Sequence, residues 1–259
     1  MRRIVIIGTA IAVLVAAGSA YAAVNTYTAS FSFSPAKAGN PSSPSPLSFT
    51  ESLGAKGTGG NRTAVLTDIK AKLYGIVGDG KDFPTCSLSK IAAAHSDSSC
   101  PNGALVATGA ITAVLGPSSN PKSPGSACDP LLHVWNAGQG KLVFFFVDTA
   151  PSHLCLAGAV PTGSVGPFPG TYKVVGKYLV QDTPIPSYVD FPVGPQLAGA
   201  LTSEHLVWLR HTAKVHGRTV AALASVGCLK GQRPYSVQYT ATQNGKSEVD
   251  TVSHSAHCQ

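Results

Sequence analysis

The chain has 259 residues and a formal net charge of +7, yet charged residues make up only 12% of it, about half the usual share. Its surface must therefore be covered by Ser, Thr, Asn, Gly and Pro, and the dense Lys and Arg clusters with interleaved aromatics that nucleic acid requires are missing. A mild positive excess suits an anionic cell-wall polymer or polysaccharide as partner.

Arg2 and Arg3 open the chain, an apolar run from Ile4 to Ala17 follows, and Ala20-Tyr21-Ala22 supplies a small-x-small cleavage site. That order is the signature of an export signal. The run is shorter than the roughly 20 residues a helix needs to cross a bilayer. The expected division is a signal peptide at 1–22, an N-terminal β region at 23–116 with a proline-rich arm at 34–46, and a C-terminal β region at 117–259. No transmembrane segment is expected after cleavage.

Beyond the signal, alternation with period two dominates. Tyr27, Ala29, Phe31 and Phe33 share one face of an extended segment and Thr26, Thr28, Ser30 and Ser32 the other, which is the pattern of a half-buried strand. The prolines of the arm oppose ladder pairing; Leu47, Phe49 and Leu53 resume a strand. Val65, Ile69, Ala71 and Leu73 alternate with Asp68, Lys70 and Lys72. A short helix is expected from Ser87 to Ala94 inside the 86–100 loop, then a strand from Leu105 to Leu115, then the turn-rich stretch Gly116 to Pro121, the candidate domain boundary.

Leu131 to Asn136 and Lys141 to Asp148 flank Ala137-Gly138-Gln139-Gly140 as a hairpin. Val143 to Val147 is apolar without alternation, as in a strand covered on both faces. Further strands are expected at Tyr172 to Val180, His205 to His211 and Val220 to Val226. Tyr235 to Thr242 and Ser247 to His254 are separated by Gln243-Asn244-Gly245-Lys246, where Asn-Gly signals a hairpin. The fold class is all-β, an antiparallel β-sandwich, immunoglobulin-like or related, in one piece or as two sandwich subdomains.

Six cysteines, Cys86, Cys100, Cys128, Cys155, Cys228 and Cys258, follow the signal, and exported cysteines mostly pair with one another. Spacing alone permits 15 pairings. Closing the last hairpin brings Cys228 near Cys258, Cys86 and Cys100 bracket the helical loop, and Cys128 and Cys155 remain, so a sequential pattern is expected. Zinc sites use closely spaced pairs that this chain lacks. His254, His257 and Cys258 lie close in sequence, but positions three apart on a strand face opposite ways. No metal site and no cofactor is expected.

The run from Leu66-Thr67-Asp68-Ile69 through Phe83-Pro84-Thr85-Cys86 and Cys100-Pro101-Asn102-Gly103 resembles a pattern in uncharacterised secreted proteins of actinobacteria. The resemblance continues through Leu142-Val143-Phe144-Phe145 and Cys228-Leu229-Lys230-Gly231 to Cys258. Its most specific element is Pro-x-Cys followed by Cys-Pro-x-Gly. It implies an extracytoplasmic β-rich fold with disulfides Cys86–Cys100 and Cys228–Cys258, and implies no activity. Cys128, Cys155 and the proline-rich arm depart from that pattern.

Ser87-x-x-Lys90 matches the start of a penicillin-binding signature, but the Lys-Thr-Gly strand that chemistry also needs is absent from the sequence. Asp129, His133, Asp148 and His153 could join a serine in a triad only if the fold assembled them. His205, Arg210, His211, Lys214, His216 and Arg218 form the most basic stretch, a candidate strip for an anionic polymer and otherwise the wet face of a hairpin. Trp135, Tyr172, Tyr178 and Trp208 could stack on sugars if exposed together. The expected function is a non-enzymatic, secreted or cell-surface protein with a structural or binding role in the cell envelope. The alternatives are a carbohydrate-binding module and a secreted serine or carboxylate hydrolase.

Overall fold

The computed structural model describes residues 24–147, 165–243 and 245–259. In chain order its elements are β1 (Asn25–Ser34), β2 (Ser45–Pro46), β3 (Ser48–Gly57), β4 (Val65–Tyr74), β5 (Ile76–Gly78), α1 (Leu88–Ala94), β6 (Leu105–Pro117), β7 (Ser126–Cys128), β8 (Leu131–Asn136) and β9 (Lys141–Val147). There follow β10 (Phe168–Val175), β11 (Tyr178–Pro184), α2 (Ser187–Asp190), β12 (Leu197–Trp208), β13 (Thr212–Val215), β14 (Arg218–Ala221), β15 (Leu223–Ser225), β16 (Gln232–Gln243) and β17 (Lys246–His257). The fold is mostly β, and among the described residues the strand pairs are antiparallel.

Eleven strands follow one another in a single path, β1-β3-β12-β6-β8-β9-β10-β11-β4-β16-β17, with β7 attached to β6. The sheet curls until its two ends meet side chain to side chain: Tyr27 stacks on Tyr239 with ring centroids 4.4 Å apart. Across the same seam the Tyr239 hydroxyl donates to Thr28 O at 2.8 Å and the Val24 amide to Glu248 Oε2 at 2.7 Å. One large, nearly closed sheet results. Gly116 and Pro117 end β6 and a turn follows them; β3 and β6 pair with β12, and β4 with β11 and β16, so strands before and after 117 are hydrogen-bonded to one another.

Alternation decides which residues point inward. Phe49, Leu53, Leu66, Leu73, Leu132, Leu206, Val237 and Tyr239 are buried in one core. β9 is buried on both faces, as its unbroken apolar run predicts: Leu142 and Phe144 join that core while Val143 and Phe145 join a second cluster with Ile91 of α1, Trp135, Cys86 and Cys100. The expected strand at 172–180 is instead two, β10 and β11, turning at Gly176 with φ 61°. Val174 and Val175, beside the turn, are apolar but exposed, so the apolar pattern ran on where the strand ends.

One end of the curled sheet is plugged by a three-stranded sheet in the order β2-β15-β5. Thus the proline-rich arm ends in a short paired strand, Ser45 and Pro46 lying opposite Ser225 and Ala224. Gly75, at the start of this plug, has φ 63°, and a Cβ there would come within 2.1 Å of Gly227 O; only glycine admits that approach. Asn136 ties the 80–84 segment across the same end, donating to Gly80 O at 2.8 Å and Pro84 O at 2.9 Å.

Disulfides Cys86–Cys100 and Cys228–Cys258 are present, as expected. Cys128 is disulfide-bonded, but Cys155 lies outside the described residues, and with it the expected Cys128–Cys155 pair. The Cys228–Cys258 bridge closes a separation of 30 residues, for which the chain-entropy model gives about 4 kcal/mol. Replacing both cysteines by alanine is expected to lower unfolding free energy in urea by about that amount; a loss below about 1 kcal/mol would show that the plug is held by packing alone.

Candidate functional site

Among the described residues the inner face of the curled sheet is not filled toward the end that carries α2. Between the packed middle and the end that carries α2 lies a cavity of about 140 Å³, with apolar walls from Ile111, Leu115, Leu132, Phe144 and Phe168. Phe168 stacks on Phe144 at 5.2 Å between centroids and meets Phe146 at 5.7 Å. Protein interiors rarely leave voids larger than a water molecule. This one is close in size to an engineered apolar cavity of about 150 Å³ that stays dry and takes up benzene.

Three carboxyl groups border this apolar space: Glu51 on β3, Glu204 on β12 and Asp190 at the end of α2. β3 and β12 are neighbours, with Glu51 opposite Leu206 and Glu204 opposite Leu53, so the two glutamates are diagonal neighbours on one face. Glu51 is 2% exposed and Asp190 5%; Glu204 keeps some accessible surface and lines the cavity. The Trp208 indole donates to Glu51 Oε2 at 2.7 Å. Among the described residues no side chain or amide is hydrogen-bonded to the carboxyls of Glu204 and Asp190, and the cavity wall holds no Lys, Arg or His.

Burial therefore dominates their titration. It pushes Glu51 from 4.5 up to about 7 against the lowering effect of the Trp208 hydrogen bond, and Asp190 from 3.8 to about 7. Glu204 is raised well above 4.5 by burial and then by the charge of Glu51. Tyr239, packed nearby, is raised by its own burial and then by Glu51 and Glu204. In a medium of low polarity two adjacent carboxylates cannot both stay charged, so protons are retained near neutral pH.

The basic stretch from His205 to Arg218 is divided. His205 stands on the outer face of β12, 2.9 Å from Ser52 Oγ. His211 is turned inward, its Nε2 donating to Leu105 O at 2.7 Å. Lys214 donates to Thr219 Oγ1 at 2.7 Å. It lies with Arg218 on the β13–β14 hairpin, whose turn is His216-Gly217, at φ 49° and 77°. Arg210, Lys214, His216 and Arg218 are exposed.

Ser87 is the N-cap of α1, accepting from the Lys90 amide, and the Lys90 ammonium donates to Ser99 O at 2.7 Å. Helix capping accounts for this Ser-x-x-Lys. His133 pairs with Asp97 at 2.7 Å, and Trp135 donates to the same oxygen. Asp148 and His153 lie outside the described residues. Trp135 and Trp208 are both buried, at 5% and 3% exposure, so they form no sugar-stacking surface; Tyr172 and Tyr178 are half-buried.

The glutamates at the cavity were absent from the candidate residues of the sequence, although a signal exists. Phe49-x-Glu51-x-Leu53 and Glu204-x-Leu206-x-Trp208 place an acid in the parity of the apolar face, so period-two pairing turns it inward. No family model, no curated protein and no solved structure matches this chain.

Proposed function

We propose that this chain is an exported binding protein that holds a small apolar molecule inside its curled sheet. The observation that carries the reading is the unfilled cavity of about 140 Å³ with apolar walls inside the curled sheet. A sandwich of the immunoglobulin kind and a flattened barrel both bury one core between two layers. The barrel description is preferred because a continuous strand path with meeting edges encloses a lumen, and small barrels commonly hold one small ligand there. Export follows from the signal-like start and suits the disulfides. A role at the cell envelope is the setting this implies, with anionic wall polymer a contact for the exposed hairpin cations.

A ligand of benzene size fits the cavity volume. Toluene is expected to bind wild-type protein at millimolar concentration, seen as chemical-shift changes in the methyl groups of Leu132, Ile111 and Leu115. Ala113 lines the same space, and Ala113→Trp is expected to fill it and abolish those changes while leaving far-ultraviolet circular dichroism unaltered. Absence of any apolar ligand binding to the wild type would refute the reading.

A further inference from the structure

We propose that the ligand of this lumen is a small apolar amine, whose ammonium group sits against Glu51 and Glu204 while its hydrocarbon part lies against the phenylalanines. The inference rests on the lumen being a ligand site and adds the chemistry of its occupant. The walls divide into two kinds of surface. Phe144, Phe146 and Phe168 line the lumen and pack against one another, and aromatic rings attract cations through their negative faces. On the neighbouring strands β3 and β12 two acids look into the same space, and Asp190, 5% exposed and without a hydrogen-bond partner among the described residues, borders it near α2.

Of the three acids only Glu51 has a donor among the described residues, the Trp208 indole, and burying acids so sparsely partnered costs free energy that folding alone has no use for. An anion would add a further negative charge to this site, and a neutral hydrocarbon would leave the acids as they are. An ammonium supplies the missing donors and the missing charge together. The cavity volume of about 140 Å³ restricts the occupant to roughly a single ring with a one-carbon arm. The glutamates need no rearrangement of the backbone to serve, since adjacent antiparallel strands already hold both on the inner face.

Three probes of equal shape separate the possibilities: benzylamine, benzyl alcohol and benzoate, titrated calorimetrically into the full chain at neutral pH. Benzylamine is expected to bind at least about tenfold more tightly than benzyl alcohol, the difference a charge-assisted hydrogen bond provides, and benzoate not detectably. In Glu51→Gln/Glu204→Gln that preference is expected to vanish while benzyl alcohol still binds; each single substitution serves if the double variant does not fold. Equal affinity for amine and alcohol in the wild type would overturn the amine assignment and leave the lumen as an apolar site. Failure of all three probes and of toluene would overturn both readings.

Discussion

Glu51→Gln is expected to stabilise the unliganded protein at pH 8 by about 3 kcal/mol and to have almost no effect at pH 4. Burial raises the Glu51 carboxyl from 4.5 to about 7, so between those values the folded state holds a proton that the unfolded state has released. Stability from this group is complete below about 4.5 and is lost as pH rises through 7. Glu204 and Asp190 are raised by burial too and act in the same direction, so the wild type itself should melt at a lower temperature at pH 8 than at pH 5. Gln keeps an acceptor for the Trp208 indole, which donates to Glu51 at 2.7 Å, and removes the charge. For a domain of this size the gain corresponds to roughly 6–12 °C in Tm. A difference between variant and wild type that does not change with pH would contradict the placement of this carboxyl. Saturating benzylamine should reverse the trend, stabilising the wild type more at pH 8 than at pH 5, because the bound cation favours ionised acids.

Arg233→Ala is expected to cost on the order of 3–5 kcal/mol, the largest loss among single substitutions outside the apolar core. The side chain is 0% exposed. Its guanidinium donates to Tyr74 O at 2.8 Å and Gly75 O at 3.0 Å, to Ser225 Oγ at 2.6 Å and to Cys258 Sγ at 3.2 Å, and lies 4.8 Å over the Phe33 ring. One side chain thereby joins the end of β4, the plug strand β15, the terminal disulfide and β1. Burial lowers its pKa to about 10, which still leaves it charged at neutral pH. Alanine removes the Arg233 donors from Tyr74 O, Gly75 O and Ser225 Oγ, although the Val226 amide still donates to Gly75 O, and opens a void beneath the plug. Arg233→Lys is expected to recover little, because an ammonium cannot match the planar fork that reaches the carbonyls with one nitrogen and Ser225 Oγ and Cys258 Sγ with the other. Urea unfolding of both variants decides the matter: a loss below about 1 kcal/mol would mean that plug and sheet hold together without this clamp.

Much of the secondary structure was legible because exposed and buried side chains alternate along each strand. Tyr27-x-Ala29-x-Phe31 and Tyr235-x-Val237-x-Tyr239 put their apolar members inside. The unbroken Val143-Phe144-Phe145 run marked a strand covered twice, and α1 is its second cover. The local disulfides Cys86–Cys100 and Cys228–Cys258 were legible for the same reason, since each closes around a nearby helix or hairpin. Strand order was not. That β3 pairs with β12 across some 150 residues is a long-range contact, and alternation says which face is buried without saying which strand lies alongside.

The same division holds for the site. The sequence by itself determined a β-rich chain with staples near their partners in sequence, and it displayed Glu51, Glu204 and Arg233 as polar residues in apolar parity. Only the tertiary structure decided what those residues meet. Arg233 meets two carbonyls, a hydroxyl and a sulfur through its terminal nitrogens, while Glu51 and Glu204 come from distant segments to the same apolar space. The physical reason is that local propensity and face are properties of neighbouring residues, whereas a lumen, its volume and the charge within it exist only once the sheet has curled and its edges have met.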